Sequence, residues 1–139
     1  MDLATLMYVS YRAMDERVLA AMRAAGYDIT AAQSRIAQRI DDEGSRLTDL
    51  AERAQVTKQT ASQLVVALEQ QGLVERVPDP ADGRARLIRF TERGRAAAQE
   101  AMQVVIGVEQ EWAEHLGPRT TAQLRTALTR LREVTDPCA

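Results

Sequence analysis

The stretch TKQTASQLVVALEQQGLVERVPDPADGRARLIRF, residues Thr57 to Phe90, changes character halfway along. Its first half has the period of a helix, with Ala61, Leu64, Val65 and Leu68 on one side and Lys58, Gln59, Ser62 and Gln63 gathered on the other near its start. Thr57 is placed to cap that helix and Gly72 to end it. From Leu73 to Val77 the run is short, β-branched and bounded by Pro78, which predicts a strand, and Ala85 to Phe90 predicts its return partner. Between them Asp82-Gly83 predicts the hairpin tip, because tight two-residue turns need positive φ and glycine takes it without steric cost.

Working outward, LTDLAERA (Leu47 to Ala54) predicts a second short helix capped by Thr48, with Leu47, Leu50, Ala51 and Ala54 facing inward. Only Gln55 and Val56 stand between it and Thr57. The order helix, tight turn, helix, hairpin is that of a winged helix-turn-helix. Upstream, Met7, Tyr11, Met14, Val18 and Met22 mark one face of a long helix from Leu3 to Ala25, stopped by Gly26. Thr30 and Gln33 form a capping-box pattern that opens a further helix to about Ile40. Downstream, Thr91 opens a long helix carrying Ala98, Ala101, Val105, Val108 and Trp112, Gly117-Pro118 breaks it, and a last helix spans about Thr120 to Val134. The predicted fold class is mainly α with a small β-hairpin. It comprises a winged helix-turn-helix core at residues 30–96 flanked by an N-terminal dimerisation helix (1–29) and C-terminal dimerisation helices (97–139), one structural unit overall.

At 139 residues and 45% hydrophobic the chain suffices for one globular domain. Its apolar runs fall short of the roughly 18 residues a membrane span needs, and Asp2 stands where a signal peptide would be basic, so the expectation is a cytoplasmic protein with no membrane contact. The single cysteine, Cys138, cannot close an intramolecular disulfide. The formal charge of −2 is unevenly spread: residues 58–95 carry seven basic against five acidic side chains, and both flanking segments are net acidic.

The predicted second helix of the pair has the chemistry to enter a major groove. Gln59 and Gln63 can each offer a donor and an acceptor to adenine, Thr57, Thr60 and Ser62 are short donors, and Lys58 supplies charge against phosphate. Taken alone, this face also fits an ordinary solvated helix surface. The hairpin adds Arg84, held away from the core where a narrow minor groove would attract it, with Arg86 and Arg89 able to follow the backbone and Asp82 close enough to hold Arg84 in one orientation. The alternative for the hairpin is a surface turn whose Asp and Arg pair weakly.

The segment LTDLAERAQVTKQTASQLVVALEQQGLVERVPDPADGRARLIRFTERGR, Leu47 to Arg95, closely resembles the winged-helix core of the MarR family of bacterial transcriptional regulators. The likeness is clearest in GLVER, in the wing Asp79-Pro80-Ala81-Asp82-Gly83-Arg84, and in FTERG. The resemblance implies a homodimer with interlocking first, fifth and sixth helices. It also implies that Lys58, Gln59, Ser62 and Gln63 face the groove and that Asp82 and Arg84 form the wing pair. It further implies a crevice between the dimer helices and the core that receives small phenolic or anionic effectors, for which Tyr8, Tyr11, Arg12, Arg46 and Trp112 are the candidates by position.

The apolar stripes of the terminal helices support a dimer independently. They exceed what one winged helix can cover, and an unpaired stripe of that size would be an exposed patch. A twofold dimer would present two recognition helices to an inverted-repeat operator. The expected function is therefore a ligand-responsive repressor that binds double-stranded DNA. The alternatives are a winged-helix protein-interaction module without a DNA site and a redox-responsive regulator acting through Cys138. Some members of the resembled family sense oxidants through a cysteine near the N-terminus, where this chain has none. His115 stands alone, and nothing in the pattern joins it to Ser10, Ser34, Ser45 or Ser62, so no enzyme, metal site or cofactor is expected.

Overall fold

In the computed structural model, which describes residues 1–139, six helices and one antiparallel hairpin follow in the order α1 (Leu3–Ala24), α2 (Ala31–Ala37), α3 (Leu47–Ala54), α4 (Lys58–Gln70), β1 (Val74–Asp79), β2 (Asp82–Phe90), α5 (Glu92–Leu116) and α6 (Pro118–Thr135). Local chemistry sets most of the boundaries. Thr30 accepts from the Gln33 amide while the Gln33 side chain accepts from the Thr30 amide, the complete capping box. Thr57 and Thr91 each accept from the third amide of the helix they open, at 3.1 and 3.0 Å. Gly26, at φ 94°, turns the chain out of α1.

Some boundaries differ from the sequence reading. Helix α2 stops at Ala37 rather than near Ile40. The residue before α3 is Arg46, which makes no side-chain cap bond, so Thr48 lies inside the helix and does not cap it. The reason is upstream: Ser45 forms a backbone bridge with Ile88, its N–H donating to the Ile88 carbonyl at 2.9 Å and its carbonyl accepting the Ile88 N–H at 2.8 Å. That bridge fixes where the extended chain ends and lets α3 begin immediately afterwards.

The core gathers Ile36 from α2, Leu50 and Ala51 from α3, Ala61, Val65 and Leu68 from α4, and Ile88 from the hairpin, with Val18 and Met22 of α1 and Ala97 of α5 closing it. Truncating one of the fully buried aliphatic residues, such as Leu50 or Ile36, would cost about 2–5 kcal/mol. The expected stripe of α1 is buried only in its C-terminal half, at Val18, Leu19 and Met22, whereas Met7 and Tyr11 are exposed. Helix α6 buries none of its 18 residues in this chain. No helix is long and apolar enough to cross a membrane.

Candidate nucleic-acid interface

Helices α3 and α4 meet through Gln55, which takes the left-handed conformation at φ 54°, a geometry that costs a residue with a side chain roughly 1 kcal/mol. Its side-chain amide donates to the Glu52 carbonyl at 2.7 Å, and the Val56 N–H donates to the Ala51 carbonyl at 3.0 Å, so the exposed carbonyls at the end of α3 are satisfied within the turn. The turn sets α4 with Ala61, Val65 and Leu68 buried. The opposite side of its first turns therefore stays open: Lys58, Gln59, Thr60 and Gln63 are exposed and Ser62 is half-buried. Thr57, also exposed, does structural work, since its hydroxyl accepts from the Thr60 amide and donates to the Thr60 hydroxyl at 3.0 Å.

The hairpin is built differently from the sequence expectation. Asp79 pairs with Asp82 across it, so Pro80 and Ala81 form the tip. Gly83 lies in β2 and is not among the residues with positive φ. Turn chemistry one step upstream prevails over the Asp-Gly signal. Proline sets the φ that the first central turn residue needs, and the Asp79 carboxylate accepts from the Ala81 amide at 2.9 Å. Strand β1 accordingly runs on through Pro78 to Asp79 instead of ending at Val77.

The register then shifts between Pro78, which pairs with Arg86, and Asp79, which pairs with Asp82. Gly83, Arg84 and Ala85 consequently stand without partners on β1, and a bulge of this kind redirects the side chains it carries. Asp82 does hold Arg84, through the backbone: its carboxylate accepts the Arg84 N–H at 3.1 Å and leaves the guanidinium unpaired.

The basic side chains around the hairpin separate into two groups. Arg46 donates to the Asp79 carboxylate through Nε at 2.9 Å and Nη2 at 2.7 Å, tying the start of α3 to the wing tip. Arg76 pairs with Glu69, Arg89 with its cross-strand partner Glu75, and Arg93 donates to the Gln71 carbonyl while lying over the Tyr27 ring. Arg89, expected to follow a DNA backbone, is thus engaged inside the hairpin. Arg84 and Arg86 are exposed and form no ion pair, as is Lys58 at the start of α4. Three uncommitted cations and a row of amide and hydroxyl groups therefore share the outer surface of α4 and the wing.

Asp79 and Arg46 in this structural role are what sequence reasoning missed. The signal was present in Asp79-Pro80, an aspartate-proline pair that initiates turns. The Asp79 carboxyl is held below the usual carboxylate range, first by the Ala81 amide and then by the Arg46 guanidinium.

Of the residues expected to meet a small molecule, Tyr11 lines a cavity of about 630 Å³ bounded by α1, α2, α5 and the core. Tyr8, Arg12, Arg46 and Trp112 do not line it. Tyr8 is exposed, Arg12 pairs with Glu16, Arg46 is bound to Asp79, and Trp112 is half-buried on α5. Cys138 is exposed beyond α6, its amide donating to the Asp136 carboxylate, which Arg39 and Arg132 also hold.

Residues 27–85 match the model of the MarR family. No curated protein sequence matches the chain significantly. Among solved structures, the reduced form of MarR from E. coli superposes with a TM-score of 0.76 at 25% identity, over 94% of this chain and 96% of that one. The transcriptional repressor CouR bound to a 23-mer DNA duplex superposes with a TM-score of 0.74 at 23% identity, over 94% and 92%. S. aureus MepR bound to ethidium bromide gives 0.65 at 22% identity, over 98% of both chains. With the family model on the winged core and the flanking helices aligned along nearly its whole length, the chain has the winged-helix fold of the MarR structures it resembles.

Proposed function

We propose that the chain is a sequence-specific DNA-binding repressor that works in the cytoplasm as a homodimer and releases its operator when a small molecule binds. One observation carries the DNA reading. The wing's tip is clamped by Asp79 and Arg46, while Arg84 and Arg86, alone among the arginines of the hairpin, are left without a partner. An arginine held out from a fixed turn gains nothing from packing. It suits a narrow minor groove, while Gln59, Ser62 and Gln63 suit base edges in the adjacent major groove and Lys58 the phosphates.

Dimerisation is supported by the two faces the monomer leaves uncovered. Leu3, Leu6, Met7 and Val9 of α1, and Leu124, Leu128, Leu131 and Val134 of α6, are all exposed. Faces of this kind belong against another chain. A twofold pair would present two α4 helices to half-sites about one helical turn apart. The CouR–DNA complex supports the first part of the reading by fold likeness, and the MepR–ethidium complex supports its small-molecule part in the same way.

The test is fluorescence anisotropy on genomic fragments retained by the purified protein. Arg84→Ala should weaken binding about tenfold, within the 1–3 kcal/mol expected of a specific groove contact, and parent affinity should fall steeply with salt. Unchanged affinity for every fragment, or no response to salt, would sink the DNA reading in favour of a protein-interaction module.

A further inference from the structure

We propose that the cavity between α1 and α5 selects lipophilic organic cations. The proposal rests on the ligand-responsive reading above and names the class of ligand. Sixteen of the twenty-one residues that line the cavity are hydrophobic. The ligand must therefore be largely apolar, and the space of about 630 Å³ is in the range of drug-sized sites.

Its charge preference follows from what the wall holds. Two carboxylates, Asp15 of α1 and Glu109 of α5, face the space, and no lysine or arginine does. The other polar side chains that line it, Tyr11, Ser34 and Gln38, are uncharged. Glu109 is held by Arg125 at 2.7 Å. The arginines nearest Asp15 along α1 are engaged elsewhere, Arg12 with Glu16 and Arg17 with Glu111. Asp15, half-buried and in no ion pair, is left as the free charge of the wall. An aromatic carboxylate entering here would meet a like charge and no cation to receive it. An organic cation would meet Asp15, and the rings of Tyr11 and Phe90 could face it with their negative surfaces. Met14 and Met102 add polarizable, adaptable side chains that accommodate more than one ligand shape. The charge preference is thus opposite to that expected for the phenolic and anionic effectors implied by family resemblance.

Tetraphenylphosphonium and tetraphenylborate share one shape and differ in charge, so isothermal titration of the full-length protein with each isolates the charge term. The cation should bind at least tenfold more tightly. Asp15→Asn should remove about tenfold of that preference. Glu16→Gln, which deletes the same charge from an exposed position on the same helix outside the cavity, should leave it intact. Equal or tighter binding of tetraphenylborate to the parent overturns the proposal without using any variant. Equal effects of Asp15→Asn and Glu16→Gln overturn it as well, since the preference would then reflect net charge alone. DNA release is read separately by anisotropy. Cation binding that leaves DNA affinity unmoved refutes the cavity as the effector site, whereas failure of the unliganded protein to bind any DNA refutes the regulator reading and leaves the measured charge preference standing.

Discussion

The winged core and the terminal helices solve the same burial problem in opposite ways. In the core, Ile36, Leu50, Val65, Leu68 and Ile88 are shielded by one another, and the polar groups at the joins have partners within the chain: Ser45 with Ile88, Arg46 with Asp79, Thr91 with Gly72 and Leu73. In the first half of α1 and throughout α6, residues with the same apolar periodicity face outward. The hydrophobic pattern alone therefore does not say whether a stripe is covered by its own chain. The core contains short elements joined by tight turns that fold back on themselves, whereas α1 and α6 extend beyond anything the chain can lay against them.

A single methyl group offers the most severe way to break the self-sufficient half. Gly94 lies in the first turn of α5, where an added Cβ would sit 1.9 Å from the Leu73 carbonyl oxygen. The obstacle is backbone. Leu73 cannot retreat easily, because its carbonyl also accepts the Thr91 N–H at 3.1 Å and its side chain is buried. Gly94→Ala should destabilise the protein by about 3 kcal/mol, at the upper end of overpacking costs, and lower the melting temperature by about 10 °C. A melting curve unchanged within a degree would mean that α5 is not pressed against the start of the hairpin.

The terminal helices should respond in the other direction, losing partners before losing the fold. Leu128, 46% exposed on α6, would be buried in the proposed dimer. Leu128→Asp should weaken dimerisation about a hundredfold, equivalent to about 2.7 kcal/mol, because an unpaired carboxylate would be carried into an apolar contact. Sedimentation should show monomers while circular dichroism still shows a folded core. Loss of helix together with loss of the dimer would mean that the core depends on α6 after all, and the contrast between the regions would fail.

Much of this division was legible in the residues. The three threonine caps, Gly26 as a stop and the helix-turn-helix spacing are local decisions, made within a few residues of chain, and each is found in place. The hairpin tip was not legible in the same way because two turn signals, Asp79-Pro80 and Asp82-Gly83, lie three residues apart and only one can occupy the apex. The choice is settled at a distance, by pairings that bring Ile88 onto Ser45 and Arg46 onto Asp79. The same holds for Arg89, whose spacing from the turn suggested a free cation and whose cross-strand neighbour Glu75 engages it. On α4 the open polar face could be read directly, since helical period fixes which side is open once the buried stripe is known. The ligand candidates fared differently: lining a cavity depends on how α1 lies against α5, and of those five residues Tyr11 alone is brought to it.

The smallest expected effect is the one that joins core to wing. Asp79→Asn keeps the shape of the side chain, and its remaining oxygen can still accept from the Ala81 amide, but it deletes the charge that receives Arg46. The wing should sample more orientations, and DNA affinity should fall a few-fold, less than the loss expected for Arg84→Ala. The pH dependence separates this from a general loss of fold. Because the Asp79 carboxyl titrates below its ordinary range when folded, its contribution to stability is fully present above the unfolded value near 4 and is lost as pH falls through the lower, folded value. Asp41, Glu111 and Asp136 are shifted the same way by Arg53, Arg17 and Arg39, so acid will weaken the parent and the variant alike through those groups. The informative quantity is the difference between the two proteins. It should be constant at neutral pH and narrow below about pH 4 as Asp79 itself becomes protonated. A gap that stays constant down to about pH 2 would show that the charge of Asp79 has no part in holding the wing, leaving its turn bond to Ala81 as the whole of its role.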